Sequence, residues 1–301
     1  LGDLDVPFAI AKTKITIRNL LTHTSGFTYS PDVLGVGDVA EQYAELGVMS
    51  QRYSLVENLE LLSQIPLVAH PGTSFNYSVS VDVLGAVVEK ITGMRLGEYL
   101  DMNFFKPMGM NDTAFLVPDE KRSRFARFYE VASIKNPAPV IAGSKISWEI
   151  AETAPFGLPY EYWGKPPRYD GGGGGLYSTA ADFLKYAEMV AAGGVYDGRT
   201  YLKPETAAIH FQDLMPELGL EAFEAAFGEA AQFMKFGGGY GIKMDEDGSG
   251  AVDYYFWGGA ANTFFWIDGE DQSVGVFFTH IWPPRYNMSD QIEQMVDEAR
   301  Q

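Results

Sequence analysis

No cysteine occurs anywhere in the 301 residues. Its absence excludes disulfides, thiol nucleophiles and cysteine-ligated metals together, and leaves the redox compartment open. Histidine is scarce as well: His23, His70, His210 and His280 lie far apart with no HExxH-type spacing, so no metal site is expected. Cations are also few, 22 Lys and Arg against 40 Asp and Glu, for a net charge of −18. So acidic a chain repels nucleic acid and anionic membrane, and it suits neutral or cationic small molecules as partners. No apolar run reaches membrane-spanning length. No secretory leader pattern is visible either, in a sequence that opens on Leu1 rather than Met, so the compartment is left unassigned.

What is present is enough apolar residue, 46%, to bury a core in one large domain or two. The chain is organised around His70 to Gly93. That stretch opens on the turn dipeptide Pro71-Gly72, crosses the aromatic run Phe75-Asn76-Tyr77, and continues with Leu84, Val87, Val88 and Ile91 at helical spacing. A helix is expected from about Ser80 or Val81, with Asp82 in its positively polarised first turn and Gly93 closing it. Tyr77 therefore stands just ahead of a helix N-terminus.

Before that stretch, Ile15-Thr16-Ile17 leads into a short helix carrying Leu20 and Leu21, which ends in the turn His23-Thr24-Ser25-Gly26. His23 reads as structural, because no acidic residue nearby could orient it as a base. Beyond Gly93, Arg95 to Phe105 continues as a helix, and Asp112 to Phe115 as a short strand or turn. Residues 130–170 mix prolines with Trp148, Phe156, Tyr160, Tyr162 and Trp163, which suits an aromatic-rich loop that either wraps the surface or walls an apolar pocket. The five glycines Gly171 to Gly175 lack the GK[ST] ending of a phosphate loop and read as close backbone packing, so no cofactor is expected. Helices follow from Ala180 and through Phe223, Phe227, Ala230, Ala231 and Met234.

The last quarter is β. Tyr240 to Met244, Val252 to Trp257, Thr263 to Asp268 and Ser273 to Thr279 are β-branched or aromatic runs parted by Gly and Asp turns, with a terminal helix carrying Ile292, Met295 and Val296. The expected class is α+β: an antiparallel sheet flanked by helices, with a mainly helical region over 15–235 and strands plus a closing helix over 236–301, all in one unit.

Three pieces resemble one family in order. ITIRNLLTHTSG (Ile15 to Gly26) is similar to the stretch that follows the nucleophile region in serine β-lactamase-like proteins. Phe75 to Gly93 resembles the segment bearing that family's catalytic tyrosine, commonly Tyr-x-Asn. Trp257-Gly258-Gly259 lies, in this reading, at the start of a late strand, where class C β-lactamases and penicillin-binding proteins carry Lys-Thr-Gly. Tyr-Ser-Val with Asp-Val-Leu-Gly, paired with Trp-Gly-Gly, looks like the family VIII carboxylesterases, which are esterases on a β-lactamase-like fold.

The resemblance implies a serine hydrolase that cleaves carboxylic esters through an acyl-enzyme. Tyr77 then serves proton transfer beside a Lys, and Trp257, Gly258, Gly259 and Ala260 shape the oxyanion side, with Ala260 supplying one N–H donor. Trp257 in place of Lys implies an uncharged ester substrate rather than a β-lactam carboxylate. The family's Ser-x-x-Lys motif is expected ahead of Ile15, yet no Ser in this chain is followed three residues later by Lys. The nucleophile is accordingly expected outside these residues, on an N-terminal segment or a separate peptide. Two other readings share the motifs: a β-lactamase or D-amino-acid peptidase acting on amides, and a non-catalytic binding protein or fragment of the same fold.

Overall fold

The computed structural model describes residues 9–31, 33–131, 148–150 and 166–282, together with Gln291, Ile292, Met295, Val296 and Glu298. The helical elements are α1 (Ile17–Leu21), α2 (Asp38–Leu46), α3 (Leu55–Leu62), α4 (Ser80–Thr92), α5 (Leu96–Leu100), α6 (Ala180–Ala191), α7 (Pro204–Ala207) and α8 (Leu220–Phe227). The strands are β1 (Tyr129–Val131), β2 (Trp148–Ile150), β3 (Val195–Tyr196), β4 (Arg199–Thr200), β5 (Met234–Phe236), β6 (Gly241–Met244), β7 (Val252–Gly259), β8 (Thr263–Asp268), β9 (Val274–Phe277) and β10 (Ile281–Trp282).

Strands β5 to β9 form one five-stranded antiparallel meander in sequence order, the architecture expected of an α+β, β-lactamase-like fold. Two of its glycines are dictated by neighbours across the sheet. A Cβ on Gly275 would meet the Trp266 ring at 2.0 Å, and one on Gly241 the Phe256 ring at 2.8 Å. Helix α6 packs on β8 and β9 and buries Ala187, Met189 and Val190 against Phe265, Ile267 and Tyr240. Within this layer the hydroxyls of Tyr186 and Tyr240 satisfy each other at 2.7 Å, which removes the penalty of burying both.

A second core joins Leu20, Phe27, Tyr43, Leu62, Ile65 and Val79, so α1 to α4 pack around the segment that precedes α4. Local chemistry places these helices. Thr16 and Ser54 each form a capping box, with Asn19 and Glu57 respectively, which fixes the starts of α1 and α3. Helix α4 starts at Ser80 and stops at Gly93, whose φ of 71° and N–H bond to the Glu89 carbonyl close it as its sequence implies.

Several expectations need correction. Phe223 to Met234 is not one helix: α8 ends at Phe227, Gly228 turns with φ 62°, a short 3₁₀ stretch follows, and Met234 opens strand β5. The Phe and Met stripe is buried all the same, so its periodicity reported burial rather than a continuous helix. Trp257-Gly258-Gly259 closes strand β7 instead of starting a strand, because residues 260–262 turn the chain into β8 with Asn262 at φ 59°. Trp148 to Ile150 is a strand, paired with β1, which also pairs in parallel with β10. The rest of the proposed aromatic wall, Phe156, Tyr160, Tyr162 and Trp163, lies outside the described residues. Of the terminal helix, Ile292, Met295 and Val296 are helical.

Candidate active site

Tyr77 sits where three elements meet: the turn after α1, the N-terminus of α4 and the end of β7. Its ring lies 4.5 Å from that of His23, 5.6 Å from Tyr29 and 5.9 Å from Trp257, centroid to centroid. The sequence separates Tyr77 and Trp257 by most of the chain, and the fold brings them into contact. Burial raises the Tyr77 pKa, the neighbouring Trp257 side chain draws it back, and the Asp82 carboxylate pushes it up again. No cation among the described residues contributes to this balance.

Asp82 is the buried acid of the site, 6% exposed in the first turn of α4. Burial raises its carboxyl to about 6, against the pull of backbone N–H groups from Gly173, Asp82 itself and Gly172; the Gly173 N–H reaches Oδ1 at 3.2 Å. The first three glycines of the run, Gly171 to Gly173, are explained by this approach. A Cβ on Gly172 would meet the Val81 carbonyl oxygen at 2.0 Å, and one on Gly173 would meet Asp82 Oδ2 at 2.8 Å and the Tyr29 hydroxyl at 3.2 Å. Only bare backbone fits that closely over the helix start. Sequence reading named Asp82 merely for its helix position and missed Tyr29, which no spacing singles out.

His23 is 4% exposed and its pKa is lowered to about 4 by burial, with no charged partner among the causes. It is a neutral imidazole at ordinary pH, in keeping with its reading as structural. Behind it Ser78, Ser80 and Ser25 share a buried chain of hydroxyls at 2.7 and 2.8 Å. Two other histidines are engaged elsewhere: His210 stacks on Tyr240, and Nδ1–H of His280 is directed at the Ala126 carbonyl. Among the described residues no group of His, Asp and Glu is placed to hold a metal ion.

Gly258, Gly259 and Ala260 are exposed, at the end of β7 and the first position of its turn. Gly259 is required by its cross-strand partner, since a Cβ there would meet Thr263 Oγ1 at 2.1 Å; Gly258 has room for one, its nearest atom being 3.5 Å away. One flank of Tyr77 and Trp257 is an aromatic cluster in which buried Phe75, Phe223 and Phe236 are packed with half-buried Phe227, Met215 and Met234. Phe236 stands edge-on to Trp257 at 5.1 Å, so this apolar wall runs up to the indole. The arrangement offers a phenol, an indole and an apolar surface at the exposed end of a strand.

A five-stranded antiparallel sheet with α6 on it, and a tyrosine at the start of a helix facing the last residues of a central strand, define the β-lactamase-like class of fold. Residues 5–297 match the family model described as Beta-lactamase, and the chain belongs to that family. Protein Rv1367c of Mycobacterium tuberculosis is 29% identical over 266 residues, covering 86% of this chain and 60% of its own length. Esterase EstB of Burkholderia gladioli is 36% identical over 185 residues, 59% of this chain and 45% of the esterase. The structure of EstCE1, a hydrolase with promiscuous acyltransferase activity, superposes with a TM-score of 0.69 at 26% identity, covering 91% of this chain and 68% of that one. The chain thus spans 60% or less of the length of these two curated relatives.

Proposed function

We propose that this chain carries the tyrosine and the oxyanion strand of a serine carboxylesterase that works through an acyl-enzyme, with the nucleophilic Ser and its Lys supplied from outside these residues. The observation that carries the reading is the contact between Tyr77 and Trp257: the side chain that the β7 terminus presents to the tyrosine is an indole rather than a cation. An indole backed by Phe236, Phe75 and Phe223 favours an uncharged, apolar acyl group and offers nothing to a substrate carboxylate. Relatives named as an esterase and as a hydrolase with acyltransferase activity support the same chemistry.

In this reading the serine oxygen attacks the ester carbonyl while its proton passes to the Tyr77 and Lys pair. The carbonyl π electrons move to oxygen, and that oxyanion is met by the nucleophile's own N–H and the N–H of Ala260. Collapse breaks the bond to the alcohol, which leaves with the proton, and water repeats the sequence to release the acid. Burial and Asp82 together hold the Tyr77 phenol protonated, so a neighbouring ammonium is what would make it a base. That requirement accords with a Lys one helical turn after the serine.

The test is hydrolysis of p-nitrophenyl butyrate and of nitrocefin by the protein as its own cell makes it. Faster ester cleavage is expected, and faster nitrocefin cleavage would favour the amide-directed reading. Binding of the ester without turnover of either substrate would leave a binding protein of this fold.

A further inference from the structure

His23 holds the chain on both sides of Tyr77. Its carbonyl accepts the N–H of Asn76 at 2.8 Å, and its ring Nδ1 accepts the N–H of Ser78 at 3.2 Å. Its ring also lies against the phenol, tilted by 47°. Phe75 and Phe236 lie near the same imidazole at 6.1 and 6.0 Å. To do this His23 adopts φ 52°, a left-handed conformation few residues with a side chain enter. Because a backbone N–H can only donate, Nδ1 must keep its lone pair, and the ring proton is on Nε2. The Ser78 hydroxyl is farther from the same nitrogen, at 3.4 Å, and is taken up by Ser80.

We propose that His23 is the positioning residue of Tyr77: through one backbone acceptor and one side-chain acceptor it fixes the residues flanking the tyrosine. It neither touches substrate nor exchanges a proton in the reaction. The functional half of this inference rests on the esterase reading, whereas the geometric half does not.

Two variants separate the roles. In His23→Asn, the amide oxygen stands near the position of Nδ1 and can accept the same N–H, and Asn tolerates the left-handed conformation. In His23→Leu, the space is filled and the acceptor is lost. Amide exchange at Ser78 is measured in both, and p-nitrophenyl butyrate hydrolysis in both, alone and combined with Tyr77→Phe. The expected result is that Leu speeds exchange at Ser78 by about tenfold or more and lowers kcat by about tenfold with little change in KM, while Asn restores both. Combined with Tyr77→Phe, His23→Leu should cost nothing further, because a residue that acts only through the tyrosine has nothing left to position.

Unchanged Ser78 exchange in His23→Leu would overturn the proposal, as would an equal loss of kcat with and without the Tyr77 hydroxyl. Should the Leu variant not fold, His23→Asn decides: retained kcat supports the positioning role, and a fall as deep as that of Tyr77→Phe overturns it. Absence of ester turnover in the unmodified protein would remove the esterase reading and leave Ser78 exchange to judge the tether by itself.

Discussion

The rings of Tyr77 and Trp257 lie 5.9 Å apart, centroid to centroid, at a tilt of 46°, so a strand terminus and a helix start meet at a single phenol. Burial pushes the phenol pKa up, the Trp257 side chain beside it pulls it down, and Asp82 pushes it up again. Replacing Trp257 by Phe should therefore raise the Tyr77 pKa. Ultraviolet titration of the tyrosines, with Tyr77→Phe as the subtraction, measures it, and an unmoved or lowered value would show that the indole does not act on the phenol.

Tyr77→Phe removes one hydroxyl from a ring packed between His23, Tyr29 and Trp257 and leaves the packing in place. Ester turnover should fall by about 10² or more, since positioned proton transfer contributes 10² to 10⁴. The thermal midpoint should hardly move. Turnover at the unmodified rate would take Tyr77 out of the mechanism.

Trp257→Lys puts a cation at the end of β7, facing the apolar wall of Phe236 and Phe75. Preference among esters should shift toward those bearing a free carboxylate. Relative kcat/KM for a neutral and an anionic acyl group reads this directly, and an unchanged ratio would mean that the indole only packs.

Asp82 gives the fold a pH dependence of known sign. Its folded pKa, about 6, stands above the ordinary value of 3.8, so between these two pH values the folded state binds more protons than the unfolded chain. The contribution of this group to stability is greatest below pH ~4 and falls as pH rises through the folded value, by roughly 1–3 kcal/mol. Asp82→Asn keeps an acceptor for the Gly173 N–H and removes the charge. It should stabilise the protein at pH 8 and not at pH 4, and equal stabilisation at both would contradict the assignment.

Within the glycine run the positions are unequal. Gly172→Ala would drive a methyl group into the Val81 carbonyl oxygen, whereas Gly174→Ala meets nothing within 4 Å. The first should cost about 1–3 kcal/mol and weaken turnover by displacing the α4 start. The second should fall within ~0.5 kcal/mol of the unmodified protein by denaturant unfolding.

Much of the fold could be read directly from local chemistry. The span of α4 followed from apolar spacing and Gly93, and the late strands from β-branched and aromatic runs between Gly and Asp turns. Strand β5 escaped because Met234, Lys235 and Phe236 are too few for a period to show, and they continue an apolar stripe that helices share. Tyr77 and Trp257 could be singled out only through their resemblance to a family, because composition holds no record of which distant residues touch. Asp82 and Tyr29 were hidden for a further reason: their surroundings come from a glycine loop far along the chain, 91 residues beyond Asp82 at Gly173, and such proximity exists only after folding.

The most direct test of the central claim is a fluorophosphonate reaction of the protein as its own cell makes it, followed by peptide mapping of the adduct by mass spectrometry. The account predicts one adduct, on a serine followed three residues later by lysine and lying outside residues 1–301, with labelling slowed in Tyr77→Phe. An adduct on one of the serines within residues 1–301, or none on a protein that still cleaves esters, would contradict it.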